Sequence, residues 1–218
     1  KIIESNSKLE TKINIRIAEY YILLNEYKNV MKYFFKGFKN YLGVKRYILP
    51  SSCSVYGFHS EKKILSETDK VSPLTTYADA NAQAEIGVLN EASQSFSVVV
   101  LRQATLFGLS PRMRFDLAVN GMTHGAWKDR KLPLLRDGRQ WRPMLHVKDA
   151  ARAQLFAIRS AKNIVEGQIY NTGSDNQNYQ IGDLAKQIAV LVGNDVNIEF
   201  YGEPDHRSYR VSFTKISS

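Results

Sequence analysis

The sequence predicts an α/β fold built on a largely parallel sheet. Two observations carry that prediction. Val44–Pro50 (VKRYILP) and Ser97–Leu101 (SVVVL) are short runs with a continuous apolar centre, as strands covered on both faces must be. Between and after such runs lie stretches with apolar residues at helical spacing, so strands alternate with helices rather than with one another.

The elements follow in order. Within residues 1–24, Ile13, Ile15 and Ile17 alternate with polar residues as in a strand, while residues 18–24 fit a helix. From Asn25, the residues Val30, Met31, Phe34, Phe35, Phe38 and Leu42 recur at helical spacing, with Lys28, Lys32, Lys36 and Lys39 on the opposite face. Gly43 stops that helix. The strand over 44–50 comes next, then a polar loop over 58–72, then an alanine-rich helix over 77–94. The β-branched run at 97–101 is a buried strand. Beyond Arg112 the elements become shorter and more mixed, which predicts a second lobe. They comprise a helix over 115–127, a strand over 132–135, a turn at Asp137-Gly138, an extended piece over 144–147 and a helix over 149–161. A strand over 168–172 ends at Gly173, a helix over 181–192 is stopped by Gly193, and a last strand covers 196–201.

Composition narrows the class of function. A hydrophobic content of 44% in 218 residues suffices for a sizeable core. No apolar run approaches the ~20 residues of a membrane span. The polar opening at Lys1 has no signal-peptide pattern, and Cys53 is the only cysteine, so a reducing cytoplasm is expected. The net charge of +9 raises the idea of nucleic acid, but +6 of it lies in residues 1–46, much of it on one helix face. No basic run with interleaved aromatics accompanies it, which makes nucleic acid an unlikely partner. His59, His124, His146 and His206 have no metal-ligand spacing, and no metal is expected.

The chemistry concentrates in Ser51–Glu85. A strand ending in Ser51-Ser52 delivers hydroxyls to the carboxyl edge of a sheet, where ligands of open α/β folds bind. Tyr77 opens the next helix. Its phenol, with an ordinary pKa of about 10, is a poor base at neutral pH unless a cation or hydrogen bond stabilises the phenolate. Read alone, the serines could simply cap the strand end and Tyr77 could pack on the sheet.

The run SSCSVYG followed by PLTTYADAN resembles the extended short-chain dehydrogenase/reductases, specifically the NAD-dependent epimerase/dehydratase group that acts on nucleotide sugars. LRQATLFG, RQWRPMLHVKDAARA, IYNTGS and DHRSYR extend the resemblance from about Asn25 to Phe213. It implies a Rossmann-like, partial doubly wound parallel sheet with a smaller mixed α/β substrate-binding lobe. The corresponding domains are 1–110, lacking the glycine-rich first half, and 111–218, with 144–172 returning to the first. It also implies NAD or NADP as cofactor, a nucleoside-diphosphate sugar as ligand and a possible homodimer. By position, Ser52 orients the substrate oxygen, Tyr77 is the acid/base, and Ser51, Tyr77 and Asn81 lie on the cofactor side. Arg142 matches the family arginine that contacts the diphosphate. Arg207 sits in a stretch that closes over the nucleotide, and Thr105, Arg112 and Arg114 are further substrate-side candidates. The pair Cys53-Ser54 stands where dehydratases carry an acidic residue, which favours an epimerase or reductase.

Two departures matter. The family lysine is Asn81 here, so the i+4 cation that activates Tyr77 is replaced by an amide. No GxxGxxG turn occurs, and the first glycine is Gly37. The expectation is therefore an enzyme of this group represented by a truncated chain, with a catalytically impaired fragment or non-catalytic relative as the alternative.

Overall fold

The computed structural model describes residues 44–59, 63–135, 137–193, 195–202 and 208–218. The elements expected before Val44 lie outside them. In chain order the described elements begin with β1 (Arg46–Ser52), β2 (Ile64–Leu65), α1 (Thr76–Leu89), β3 (Ser97–Gln103), β4 (Thr105–Phe107), α2 (Ala118–Asp129) and β5 (Lys131–Leu135). They continue with β6 (Trp141–His146), α3 (Val147–Arg159), α4 (Lys162–Val165), β7 (Gln168–Thr172), β8 (Asn178–Gln180), α5 (Ile181–Val192), β9 (Asn197–Tyr201), β10 (Arg210–Val211) and α6 (Thr214–Ser217). One sheet has the order β1-β3-β7 and another the order β4-β6-β8. In the second, β4 runs parallel and β8 antiparallel to β6. Two parallel pairs, β5 with β9 and β2 with β10, complete the set.

The chain divides into two compact units. The first holds the described residues up to Ser51, with Thr75–Leu101 and Gln154–Ile169. Its centre is β3, whose residues Val98, Val99 and Val100 have no exposed surface, as the unbroken apolar run predicts. Leu49, Val88, Phe96, Val98 and Val100 form one core cluster. Burying each such side chain stabilises by about 1.5–3 kcal/mol. Helix α1 starts where the Thr75 hydroxyl accepts from the Ala78 N–H at 3.1 Å. Its buried stripe is Ala78, Ala82, Glu85 and Val88. The helix ends at Leu89, short of the expected Gln94, because a tight turn follows. Ser93 and Phe96 exchange backbone hydrogen bonds there, and Phe96 is delivered to the core. At the same end of the unit, Arg46 Nη1 donates to the carbonyls of Ala157, Ile158 and Ser160 at 2.6–2.8 Å. A cation there satisfies orphan carbonyls and opposes the helix dipole of α3.

The second unit holds Ser52–Leu74, Arg102–Ala153 and Tyr170–Ser218. Met122, Ala126, Leu132, Leu134, Met144, Ile181, Leu184, Ala185 and Ile188 form its apolar core. A polar knot lies in the same unit. Tyr56 is fully buried, its hydroxyl accepts from Arg102 Nη1 at 2.9 Å, and its single hydrogen is shared between Asn171 Oδ1 at 2.8 Å and the Ser66 carbonyl at 2.9 Å. Burial pushes the Tyr56 phenol up to about 12 despite the Arg102 charge. Asn171 Nδ2 donates to the Ser212 carbonyl, and Asn171 N–H donates to Glu67 Oε1. Gly57 closes the turn after Tyr56 with φ of +71°, and a side chain there would overlap the Ser72 carbonyl.

Several boundaries depart from the sequence reading. The stretch 58–72 is not all loop, because Ile64–Leu65 adds to Arg210–Val211 as a short parallel pair. Helix α2 starts at Ala118 rather than 115, since Arg114 and Asp116 form a bidentate pair in the loop before it. Strand β6 begins at Trp141 rather than 144, because β8, unseen in the sequence, pairs with its first half. Helix α3 begins at Val147 rather than 149. His146 Nδ1 accepts from the Lys148 N–H at 3.2 Å, so the cap is His146, while Asp149 pairs with Arg152 inside the first turn.

Replacing Tyr56 by Phe removes the acceptor of a buried guanidinium and a donor to Asn171. A loss of roughly 1–3 kcal/mol is expected, about 2–4 °C of melting temperature per kcal/mol in a chain of this size. Arg46→Met should cost about 1–2 kcal/mol through the uncapped end of α3, read as a lower midpoint in urea. Lys63 and the Ser66 N–H hold the Asp69 carboxyl down to about 2. Its folded value lies below the ordinary one, so this contribution is present above about pH 4 and fades as pH falls through about 2. Melting curves between pH 5 and 2 should therefore be flatter for Asp69→Asn than for the parent.

Candidate active site

The structure places the residues singled out in the sequence as follows. Ser51, near the end of β1, is 3% exposed, and its hydroxyl donates to Glu85 Oε1 of α1 at 2.5 Å. Its hydrogen is thereby committed within the first unit, tying the strand to the helix. Ser52, one residue on, is half-buried, and its hydroxyl accepts from the Ser54 N–H at 3.2 Å. That contact caps the 3-10 turn Cys53–Tyr56 and leaves the Ser52 hydroxyl hydrogen with no acceptor among the described residues.

Tyr77 is the second residue of α1. The helix buries Ala78 and Ala82 and turns Tyr77 outward, 64% exposed. Asn81 lies one turn on, as the i+4 spacing requires, and its Nδ2 donates to the Tyr77 backbone carbonyl at 2.9 Å. The structure therefore brings these two residues together through the main chain, and the amide adds no positive charge. Asp79, between them, is exposed.

In the second unit, Arg142 projects from β6. Its Nη1 donates to the Trp141 carbonyl at 2.8 Å, and the guanidinium lies 5.3 Å over the Tyr209 ring. Arg210 lies 5.0 Å over the Trp141 ring. Ser208 and Tyr209 lock this arrangement, since Trp141 N–H donates to Ser208 Oγ and Tyr209 N–H donates to the Trp141 carbonyl. Two arginines and two aromatics thus form one half-buried cluster, and Arg guanidinium planes favour such stacking. Of these four the sequence singled out Arg142; Trp141 and Arg210 lie in the quoted motifs without a role, and Tyr209, 7% exposed, had no local signal beyond its neighbours. Arg207 lies outside the described residues.

Thr105 opens β4 opposite Met144 and is half-buried. Arg112 and Arg114 are exposed, and Arg114 is bound to Asp116, holding that carboxyl down to about 2. Arg102 has a structural partner, the Tyr56 phenol. Cys53 is 1% exposed and its thiol points to the Arg102 carbonyl, as a small core filler would. His146 stands edge-on to Phe107 in addition to capping α3. Among the described residues, no group of three or more His, Cys, Asp or Glu side chains could hold a metal ion, and no helix is long and apolar enough to cross a membrane.

Around Ser51–Glu85, the groups open to a ligand include the Ser52 hydroxyl hydrogen and the exposed Tyr77 phenol. Both suit hydrogen bonding to sugar or ribose hydroxyls. No glycine-rich pyrophosphate turn of the GxxGxxG type is present in the 218 residues.

Comparison with known proteins gives a consistent result. The model of the NAD dependent epimerase/dehydratase family matches residues 17–173. The chain is 26% identical over 178 residues to the probable UDP-arabinose 4-epimerase 3 of Oryza sativa subsp. japonica, covering 72% of this chain and 43% of that protein. It is 27% identical over 178 residues to the uncharacterized UDP-glucose epimerase YtcB of Bacillus subtilis strain 168, covering 79% and 54%. The chain thus spans about half the length of the curated relatives it matches. Among solved structures, UDP-glucuronic acid 4-epimerase from Bacillus cereus, in complex with UDP-glucuronic acid and NAD, superposes with a TM-score of 0.75 at 24% identity, covering 86% of this chain and 59% of that one. The fold is the α/β Rossmann-like one of these enzymes. With more than half of its length matched by the family model, the chain belongs to the NAD-dependent epimerase/dehydratase family.

Proposed function

We propose that this chain carries the acid/base residues of an NAD(P)-dependent epimerase or reductase acting on a nucleoside-diphosphate sugar. The observation that carries the reading is the presentation of Tyr77, at the family's tyrosine position, with its phenol exposed on the first turn of a helix anchored by its neighbours. The nicotinamide, when bound, supplies hydride acceptance and return at a sugar carbon. Tyr77 takes the proton of the hydroxyl on that carbon as it is oxidised to a ketone, and gives it back on reduction. Ser52, by its family position, would orient a substrate oxygen with its unassigned hydroxyl hydrogen. Tyr77 and Asn81 would serve the nicotinamide-ribose side. On the substrate side, Arg142 meets the diphosphate, with Arg207, Thr105, Arg112 and Arg114 as lesser contacts. Arg142 suits that role because a guanidinium forks onto phosphate oxygens.

A second reading is favoured by Asn81, namely a catalytically impaired relative that keeps the nucleotide-sugar surface. A unit charge about 4 Å from the phenolate at an effective dielectric near 20 is worth roughly 4 kcal/mol, about three pKa units. Exposure of Tyr77 reduces that figure through solvent screening. The amide supplies none of it.

The two readings separate in one experiment on the full chain with NAD and UDP-glucose or UDP-glucuronate, following nicotinamide absorbance and sugar products. Under the first, turnover is measurable and disappears in Tyr77→Phe. Asn81→Lys should then move the rise of rate with pH downward by about one to two units, since a base acts above its pKa, and raise the rate at pH 7 about tenfold or more. Under the second, the parent is inactive, yet the UDP-sugars raise its melting temperature and Arg142→Ala removes the rise. Turnover indifferent to Tyr77→Phe would sink the first reading, and no sugar-dependent shift in an inactive parent would sink the second.

A further inference from the structure

We propose that the cleft at the amino-terminal ends of β1 and β3 is a second binding site, for an organic phosphate. The cleft has a volume of about 540 Å³, the size of a small-molecule site, and all its lining residues belong to the first unit. It lies at the opposite end of β1 from the serine pair. Arg46 and Ser51 are five residues apart, about 17 Å along an extended strand.

Four residues with side-chain donors line this cleft. Lys45 is exposed and has no acidic partner among the described residues. Arg46 spends Nη1 on the carbonyls that end α3, and among the described residues its Nε and Nη2 have no acceptor. Lys162 is held by the Ser93 and Gln94 carbonyls and by Glu166, which fixes a third cation at the rim. Ser97 is the informative one. It is 2% exposed, it lines the cleft, and its hydroxyl has no hydrogen-bond partner among the described residues. A buried hydroxyl is disfavoured until an acceptor reaches it. The Lys45 ammonium, the remaining Arg46 donors and an orphaned hydroxyl call for an anion with several acceptor oxygens, and a guanidinium edge matches phosphate. Ile48 and Ile158 form an apolar wall beside these groups. That wall favours a phosphate carried on an organic body over a bare anion.

The test uses the full 218-residue chain at low salt, with AMP and pyrophosphate as probes in equilibrium dialysis. AMP should bind, more tightly than pyrophosphate, and weaken as salt rises. Lys45→Ala and Ser97→Ala should each weaken AMP binding about fivefold or more, while leaving the melting temperature of the free protein unchanged. Arg46 is kept, because it ends α3. Arg142→Ala should leave AMP binding as it is, which separates this site from the nucleotide-sugar surface and from the fate of the reading above. Absence of AMP binding at millimolar concentration overturns the proposal. So does binding that ignores both Lys45→Ala and Ser97→Ala, or that is lost in Arg142→Ala. Pyrophosphate binding as tightly as AMP would overturn the organic part, since the isoleucine wall would then contribute nothing.

Discussion

A single phenol hydrogen organises the second unit. Tyr56 is buried among Arg102, Asn171 and the Ser66 carbonyl, and its hydroxyl is at once the acceptor of a guanidinium and the donor to two oxygens. Because burial holds the phenol protonated up to about 12, that arrangement does not change across any ordinary pH. Each partner comes from a different part of the chain: the end of β3, the end of β7, and the turn after β2. Asn171 passes the constraint on to Ser212 and Glu67. A buried polar knot of this kind stabilises only when every member is satisfied, so it specifies where those chain ends lie rather than merely adding energy.

The first unit rests on a comparable constraint of smaller extent. Ser51 donates to the buried Glu85 and so fixes α1 against β1. The helix then has no freedom about which side faces in. Its small residues Ala78 and Ala82 lie against the unit, and the residue beside Ala78 must face out. Tyr77 is exposed as a consequence of packing, and Asn81 follows it at one turn. A lysine at position 81 could extend beyond the backbone and carry charge toward the phenol. The shorter amide instead bonds the carbonyl one turn back. Tyr77 is thus followed one turn on by a neutral side chain in a chain that belongs to the family.

Much of this was legible in the sequence where the signal is local. The valine run of β3 announced a strand buried on both faces, and Val98–Val100 are fully buried. The apolar period of 181–192 and the stop at Gly193 gave α5 to the residue. Ser52, Tyr77 and Arg142 stood out because each sits in a short contiguous motif. The parts that were not legible have partners far along the chain. β2 and β10 are two residues each, too short to show a period, and they exist only as a pair. β8 is three residues, and Asn178 within it bonds the backbone of Val211, 33 residues on.

The sequence by itself therefore determined the α/β class and the family and singled out candidate side chains for the site, because each depends on residue types at fixed short spacing. The tertiary structure alone decided what those side chains touch. It committed the Ser51 hydrogen to Glu85 and left that of Ser52 open, gave Arg102 a phenol partner, and set Tyr209 under Arg142. Among the described residues it also left the Ser97 hydroxyl without a partner beside Lys45 and Arg46. Hydrogen bonds and ring contacts between residues tens of positions apart have no local signature, and it is these contacts that distinguish a satisfied side chain from one still open to a ligand.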